Sequence, residues 1–183
     1  MALNNLNEIL EPDRESRAKA FFVSKKDGYY GLTKEFTYHY EVALFEKFIK
    51  QGKESNVDKI KIKFYQEAVA VYKNDFLASD LDYDWIIDER ERLERLYLEI
   101  LEELMKYNYQ IGEYQQTIEL ANEILTKNNY IEPAYLYKIK SYDQLGKRAL
   151  AIVTYETCEE IFRENLDITP NRALKEYYNY LKI

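Results

Sequence analysis

The chain has 183 residues, 46% hydrophobic and 32% charged, with 5 glycines and 3 prolines; this excludes a disordered chain and argues against an all-β fold, which needs more turn residues. A net charge of −7 speaks against phosphate binding by the chain as a whole. The single cysteine, Cys158, leaves neither an internal disulfide nor a multi-cysteine zinc site, and fits a reducing cytoplasm.

The chain opens with Leu3, Leu6, Ile9 and Leu10 at helical spacing, closed by Pro12. From Arg14 to Lys26 five basic residues (Arg14, Arg17, Lys19, Lys25 and Lys26) stand against one acid, Glu15, so this short stretch alone has the sign that DNA favours. Two β-type runs, Phe21-Phe-Val-Ser24 and Tyr29-Tyr-Gly-Leu32, flank Lys25-Lys-Asp-Gly28. Asp-Gly supplies the positive φ angles of a tight hairpin turn. A two-stranded hairpin alone is marginal in water, so this segment reads as the end of a structure that begins elsewhere.

From about Tyr38 onward helices are expected. Val42, Leu44, Phe45, Phe48 and Ile49 make one apolar face that stops at Gly52, and Val57, Ile60, Phe64, Ala68, Val71 and Tyr72 make a second. A long helix over about 85–111 carries the stripe Leu93, Leu96, Tyr97, Ile100, Leu101, Leu104 and Met105. Asp84 is placed to cap it. Asp88–Arg92 and Glu91–Arg95, acid first and four apart, would add roughly 0.2–0.5 kcal/mol each. Four more helices follow at about 114–127, 133–145, 148–164 and 171–181, with breaks that carry Gly112, Gly146 and Pro170. Seven helices on short connections predict an all-α fold of antiparallel hairpins, preceded by the small N-terminal helix and β-hairpin. No run of about 18 apolar residues and no secretory leader pattern is present, so a soluble, cytoplasmic chain with no membrane role is expected.

Gly112 and Gly146 are 34 residues apart, the tetratricopeptide period. Ile111-Gly-Glu-Tyr-Gln-Gln-Thr-Ile118 lies over Leu145-Gly-Lys-Arg-Ala-Leu-Ala-Ile152, and Leu101 over Tyr135, Met105 over Ile139 and Ile124 over Cys158. Lys138 opposite Leu104 is a mismatch. Two degenerate copies support stacked helical hairpins, with the 38–76 region as a more divergent pair.

Few residues could carry chemistry. Asp80, Asp82, Asp84, Asp88 and Glu91 have the spacing of calcium-loop ligands, but Trp85 occupies the position where the loop's sharp turn needs glycine. The acids fit better as first-turn and solvated residues of a helix. His39 is the single histidine, so any Ser-His or Cys-His nucleophile would depend on it. Cys158 shares a helix face with Ile152, Tyr155 and Phe162 and reads as a core thiol, its pKa raised by Glu156, Glu159 and Glu160. No phosphate-binding glycine loop, nucleophile elbow or metal-ligand cluster is visible, so neither an enzyme nor a cofactor is expected. The 19 tyrosines suit half-buried helix edges, and equally a partner surface.

Tyr72-Lys-Asn-Asp-Phe-Leu77, then Trp85, then Glu89-Arg-Glu-Arg-Leu93, resembles the start of the bacterial transcriptional activator domain. That domain is a tetratricopeptide-like module of the antibiotic-regulatory-protein class of activators and of some large ATP-binding regulators. Glu132-Pro-Ala134, Tyr142-Asp-Gln-Leu-Gly-Lys-Arg-Ala-Leu150, Tyr155-Glu-Thr-Cys158 and Leu166-Asp-Ile-Thr-Pro170 continue the resemblance in order, so that it covers about residues 38–183. Asp167 stands where the family tends to have glycine. Leu6-Asn-Glu-Ile-Leu-Glu-Pro12, Glu15-Ser-Arg17 and Asp27-Gly-Tyr-Tyr30 resemble the last helix and wing of a winged-helix DNA-binding domain. Asn4, Asn5 and Asn7 stand there in place of the usual basic residues.

The resemblance implies that residues 1–34 are the C-terminal fragment of a winged helix and 38–183 the activator domain of a longer regulator. DNA contacts would come from Asn4, Arg14, Arg17, Lys25 and Lys26, with the rest of the winged helix lying upstream. A partner groove would be formed by Glu99, Glu102, Lys106 and Tyr109 from one hairpin and Leu136, Lys140 and Asp143 from the next. Its occupant would be another protein, another domain of the same regulator, or a second copy in a homodimer. The competing reading is a stand-alone tetratricopeptide-like scaffold with no DNA role.

Overall fold

A computed structural model describes residues 23–32, 41–73 and 84–183, and the chain divides into two units, residues 1–40 and 41–183. In the first unit, Asp27 and Gly28 take φ angles of 53° and 86°, the pair of positive values that a two-residue mirror-image turn requires. Strands β1 (Val23–Lys26) and β2 (Tyr29–Leu32) pair antiparallel across it, with Val23 opposite Leu32 and Lys26 opposite Tyr29. The helix expected at residues 3–10 lies outside the described residues.

Among its described residues the second unit is built of helices joined by short turns, with α1 (Glu41–Glu54), α2 (Asp58–Val71), α3 (Asp84–Gln110), α4 (Tyr114–Lys127), α5 (Glu132–Gln144), α6 (Arg148–Leu166) and α7 (Arg172–Leu181). Several ends have a local cause. Pro133 sits in the first turn of α5, where its missing N–H is no loss. Asn171 caps α7 by accepting the Leu174 backbone N–H at 3.1 Å. Gly112 and Gly146 close α3 and α5 with φ of 84° and 70°. Glu113 N bonds Asn108 O and Gly112 N bonds Tyr109 O; 34 residues on, Lys147 N bonds Tyr142 O and Gly146 N bonds Asp143 O. The same Schellman turn therefore ends both helices, and it accounts for the glycine spacing. Asp167 ends α6 in the left-handed region at φ 55° without glycine.

Three local expectations are corrected. Asp84 is itself the first residue of α3, so it serves as a first-turn acid facing the helix dipole and not as the cap. Arg92 does not pair with Asp88: its guanidinium takes Glu89 at 2.7 Å and Glu46 of α1 at 2.5 Å. Glu89 engages both Nε and Nη2, a two-point grip, and Glu46 adds an interhelical acid on the same side. Nor does a Glu91–Arg95 pair form among the described residues.

The apolar stripes meet in two clusters. Phe45 and Ile49 of α1, Ile62, Tyr65 and Ala68 of α2, and Leu93, Tyr97, Ile100, Leu101, Leu104 and Met105 of α3 form the first, with Ala121 and Ile124 of α4 and Ala134 of α5. Tyr135 and Ile139 of α5, Ala151, Tyr155, Cys158 and Phe162 of α6, and Leu174 and Leu181 of α7 form the second. Burying each large apolar side chain contributes about 1.5–3 kcal/mol. Each helix from α1 to α7 packs on the next, and α5 also packs on both α3 and α7. The order that results, α3 beside α5 beside α7, sets up the face described next.

Candidate partner-binding face

Residues three or four apart on a helix share a face. On α5 this brings Tyr137, Lys140 and Asp143 together, and the neighbouring helices add Tyr109 from α3 and Tyr177 from α7. The Tyr109 and Tyr137 rings meet edge to face, with centroids 5.2 Å apart at 77°; Tyr114 of α4 lies 5.5 Å from Tyr109. The Lys140 ammonium sits 5.9 Å from the Tyr137 centroid and 5.6 Å from that of Tyr177. Tyr180 extends the row at 5.5 Å from Tyr177. The Tyr177 hydroxyl donates to Asp143 Oδ2 at 2.8 Å. Burial, and then this bond to Asp143, hold that hydroxyl well above the usual tyrosine range, while burial raises Tyr109 as well. Both remain neutral hydrogen-bond donors at physiological pH.

Beside this row α3 borders a cleft of about 580 Å³. Leu98 and Ile131, both packed against the first core, form its apolar lining. Glu99, Glu102, Lys106, Glu91, Glu94 and Arg95 supply charge. Much of that charge is already met: Lys53 reaches Glu99 at 2.9 Å, Lys61 reaches Glu103 at 2.7 Å, and Lys106 lies 3.4 Å from Glu103 and 3.7 Å from Glu102. The hydrogen bond from Lys61 holds the Glu103 carboxyl below the usual carboxylate range.

Of the groove residues expected from the sequence, Glu99, Glu102 and Lys106 line the cleft, and Tyr109, Lys140 and Asp143 lie in the tyrosine row. Leu136 packs half-buried against the second core. Tyr137 and Tyr177 were not expected in the groove. The signal for Tyr177 is its place 34 residues beyond Asp143, itself 34 beyond Tyr109. Of the expected DNA-contact residues, Asn4, Arg14 and Arg17 lie outside the described residues. Lys25 and Lys26 stand on β1 opposite Tyr30 and Tyr29, with Lys25 exposed.

His39, Asp80 and Asp82 also lie outside the described residues, and among the described residues no group of three or more His, Cys, Asp or Glu could hold a metal ion. Cys158 is fully buried. Burial first, then Glu132 and Glu159, push its thiol up to about 12; Glu132, on another helix, takes the part expected of Glu156 and Glu160. No described helix is long and apolar enough to cross a membrane.

Seven packed helices, with rings and ion pairs laid along α3, α5 and α7, define an all-helical module. The family model of the bacterial transcriptional activator domain matches residues 41–182, and the chain belongs to that family. It is a regulatory family and not a known enzyme family. A search of curated proteins finds no match.

Proposed function

We propose that this chain is the regulatory, protein-docking part of a bacterial transcriptional activator, its helices stacked as tetratricopeptide-like hairpins. The paired Schellman turns at Gly112 and Gly146 support that stacking, as do the contacts of α5 with α3 and α7. The observation that carries the docking role is the continuous row Tyr109, Tyr137, Lys140, Tyr177 across three helices. Tyrosine covers much contact area at little entropic cost, and it is enriched at interfaces and their hot spots.

In the same reading, residues 1–34 end a winged helix whose remainder lies upstream, in a longer parent. Asn4, Arg14, Arg17, Lys25 and Lys26 then lie near phosphates and position the protein on DNA without reading bases. The groove, including Glu99, Glu102, Lys106 and Leu136, links DNA binding to oligomerisation or to contact with a partner. The test compares this chain with a form extended upstream to a complete winged helix, on promoter fragments from its own locus over a salt series. Binding by the extended form alone, falling steeply as salt rises, is the expected result. No preference over random DNA would remove the DNA role and leave an interaction scaffold.

A further inference from the structure

We infer that the tyrosine row takes an acidic, extended peptide segment, with a carboxylate of that segment pairing with Lys140; the inference rests on the docking reading above. The argument is one of charge complementarity. Around the adjoining cleft Lys53 pairs with Glu99, Lys61 with Glu103, and Lys106 with Glu102 and Glu103, while Arg95 stands among the acids Glu91, Glu94 and Glu99. At the α7 edge of the row Arg172 pairs with Glu176 at 2.6 Å. Lys140 is different. Its neighbours are the rings of Tyr137 and Tyr177, and no carboxylate of the described residues forms an ion pair with it.

The nearest acid on its own face, Asp143, is turned to the Tyr177 hydroxyl. In a chain of net charge −7, the row therefore presents, beside the Asp143 carboxylate, an ammonium with no direct ion-pair partner among the described residues, framed by aromatic rings. A partner carboxylate would complete the pair in a half-buried setting, where charge-assisted hydrogen bonds are stronger than in open water. Apolar or proline side chains on either side of that carboxylate would lie against the Tyr109 and Tyr180 rings, of which Tyr180 is 61% exposed. A nucleic-acid backbone fits less well, because phosphates need several cations and this row supplies Lys140 alone.

The test is a fluorescence-anisotropy titration of the full chain with labelled peptides of Glu-Pro-Leu repeats, against Lys-Pro-Leu repeats and a poly-dT oligonucleotide. The glutamate peptide is expected to bind. Lys140→Glu, and more mildly Lys140→Gln, should weaken it, the former by about tenfold or more, the range of one lost charge-assisted contact. Tyr180→Ser should weaken it severalfold. Lys63→Glu, the same charge change at an exposed site on α2, should leave binding unchanged, which separates the row from net charge. Thermal unfolding of each variant checks that the fold is kept.

Equal losses for Lys140→Glu and Lys63→Glu would overturn the inference, as would tighter binding of poly-dT. Tighter binding of the lysine peptide, weakened by Tyr180→Ser, would overturn the acidic partner but keep the docking role. No binding by any probe would overturn both.

Discussion

A methyl group on Gly52 of α1 would stand 2.3 Å from Cε1 of Tyr65 on α2. The two helices approach so closely because the glycine has no side chain, and Tyr65, 3% exposed, fills the space against the first core. Glycine inside a helix normally costs about 0.5–1 kcal/mol relative to alanine. Gly52→Ala should nevertheless destabilise the protein, because a buried ring in a close-packed core has nowhere to go. The overlap should cost about 1–3 kcal/mol and outweigh the propensity gain. Urea unfolding measures this as a lowered midpoint at unchanged slope; a rise in stability would mean that Tyr65 rotates away at no cost.

The start of α7 is tied to the start of α5. Glu132 accepts the Asn171 backbone N–H at 2.6 Å and its side-chain amide at 2.9 Å, while Asn171 in turn caps α7. Glu132→Ala should remove both bonds and loosen α7 first. The loss should be about 1 kcal/mol, since the site is open to water. Amide hydrogen exchange is the measurement: faster exchange confined to α7 is expected, whereas uniform acceleration over α3–α7 would show that α7 does not open by itself.

What the sequence made legible divides along physical lines. Helix bounds followed from apolar period and turn chemistry, both local, and the expected 114–127 coincides with Tyr114–Lys127. The Gly112 and Gly146 turns were legible because positive φ selects glycine. The partners of Arg92 were not. Local spacing offered Asp88, but Arg92 takes Glu89, three residues back, and Glu46, which lies on another helix and outside any i,i+4 rule. The Gly52–Tyr65 contact and the Glu132–Asn171 tie were hidden for the same reason, each being set by how two helices dock. Of the residues that the family's inter-helix turn implied for a groove, Tyr109, Lys140 and Asp143 fall in the tyrosine row, yet Tyr137 was passed over although it shares a face with Lys140. A period marks equivalent positions; it does not say which neighbours fill the space between them.

The Lys61–Glu103 bridge between α2 and α3 should shape the acid limb of stability. Lys61 lowers the Glu103 pKa through a hydrogen bond, and Glu103 raises that of Lys61. A carboxyl whose folded pKa is depressed stabilises the fold above its ordinary value of 4.5 and loses that contribution as pH falls through the folded value. Lys61→Gln should therefore lower the unfolding free energy measured in urea near neutrality by at most about 1 kcal/mol, the bridge being partly exposed. The difference from the parent protein should vanish once pH falls well below 4.5. A difference that persists undiminished in acid would assign the loss to packing of the lysine stem and not to charge.

At the other end of the pH scale the second core should fail by ionisation. Burial pushes the Cys158 thiol from an ordinary 9.0 up to about 12. Burial likewise lifts the Tyr135 and Tyr155 hydroxyls from 10.0 to about 12. In each group the folded state disfavours the charged form, so the stability linked to it is complete below the unfolded pKa. It is lost as pH rises from that value through the folded one. The window opens near 9.0 for the thiol and near 10.0 for the two tyrosines, and closes near 12 for all three. Stability should fall steadily across it. Tyrosinate absorbance should then show a late group that ionises together with loss of helical circular dichroism. Cys158→Ala should delay the onset, although the lost sulfur leaves a small cavity worth about 1 kcal/mol at neutral pH. In the native protein the thiol should resist alkylation at neutral pH and react on unfolding, because the thiolate is the nucleophile. Rapid alkylation of the folded chain near neutrality would mean that α6 and α7 part often enough to expose Cys158, and the late titration should then disappear as well.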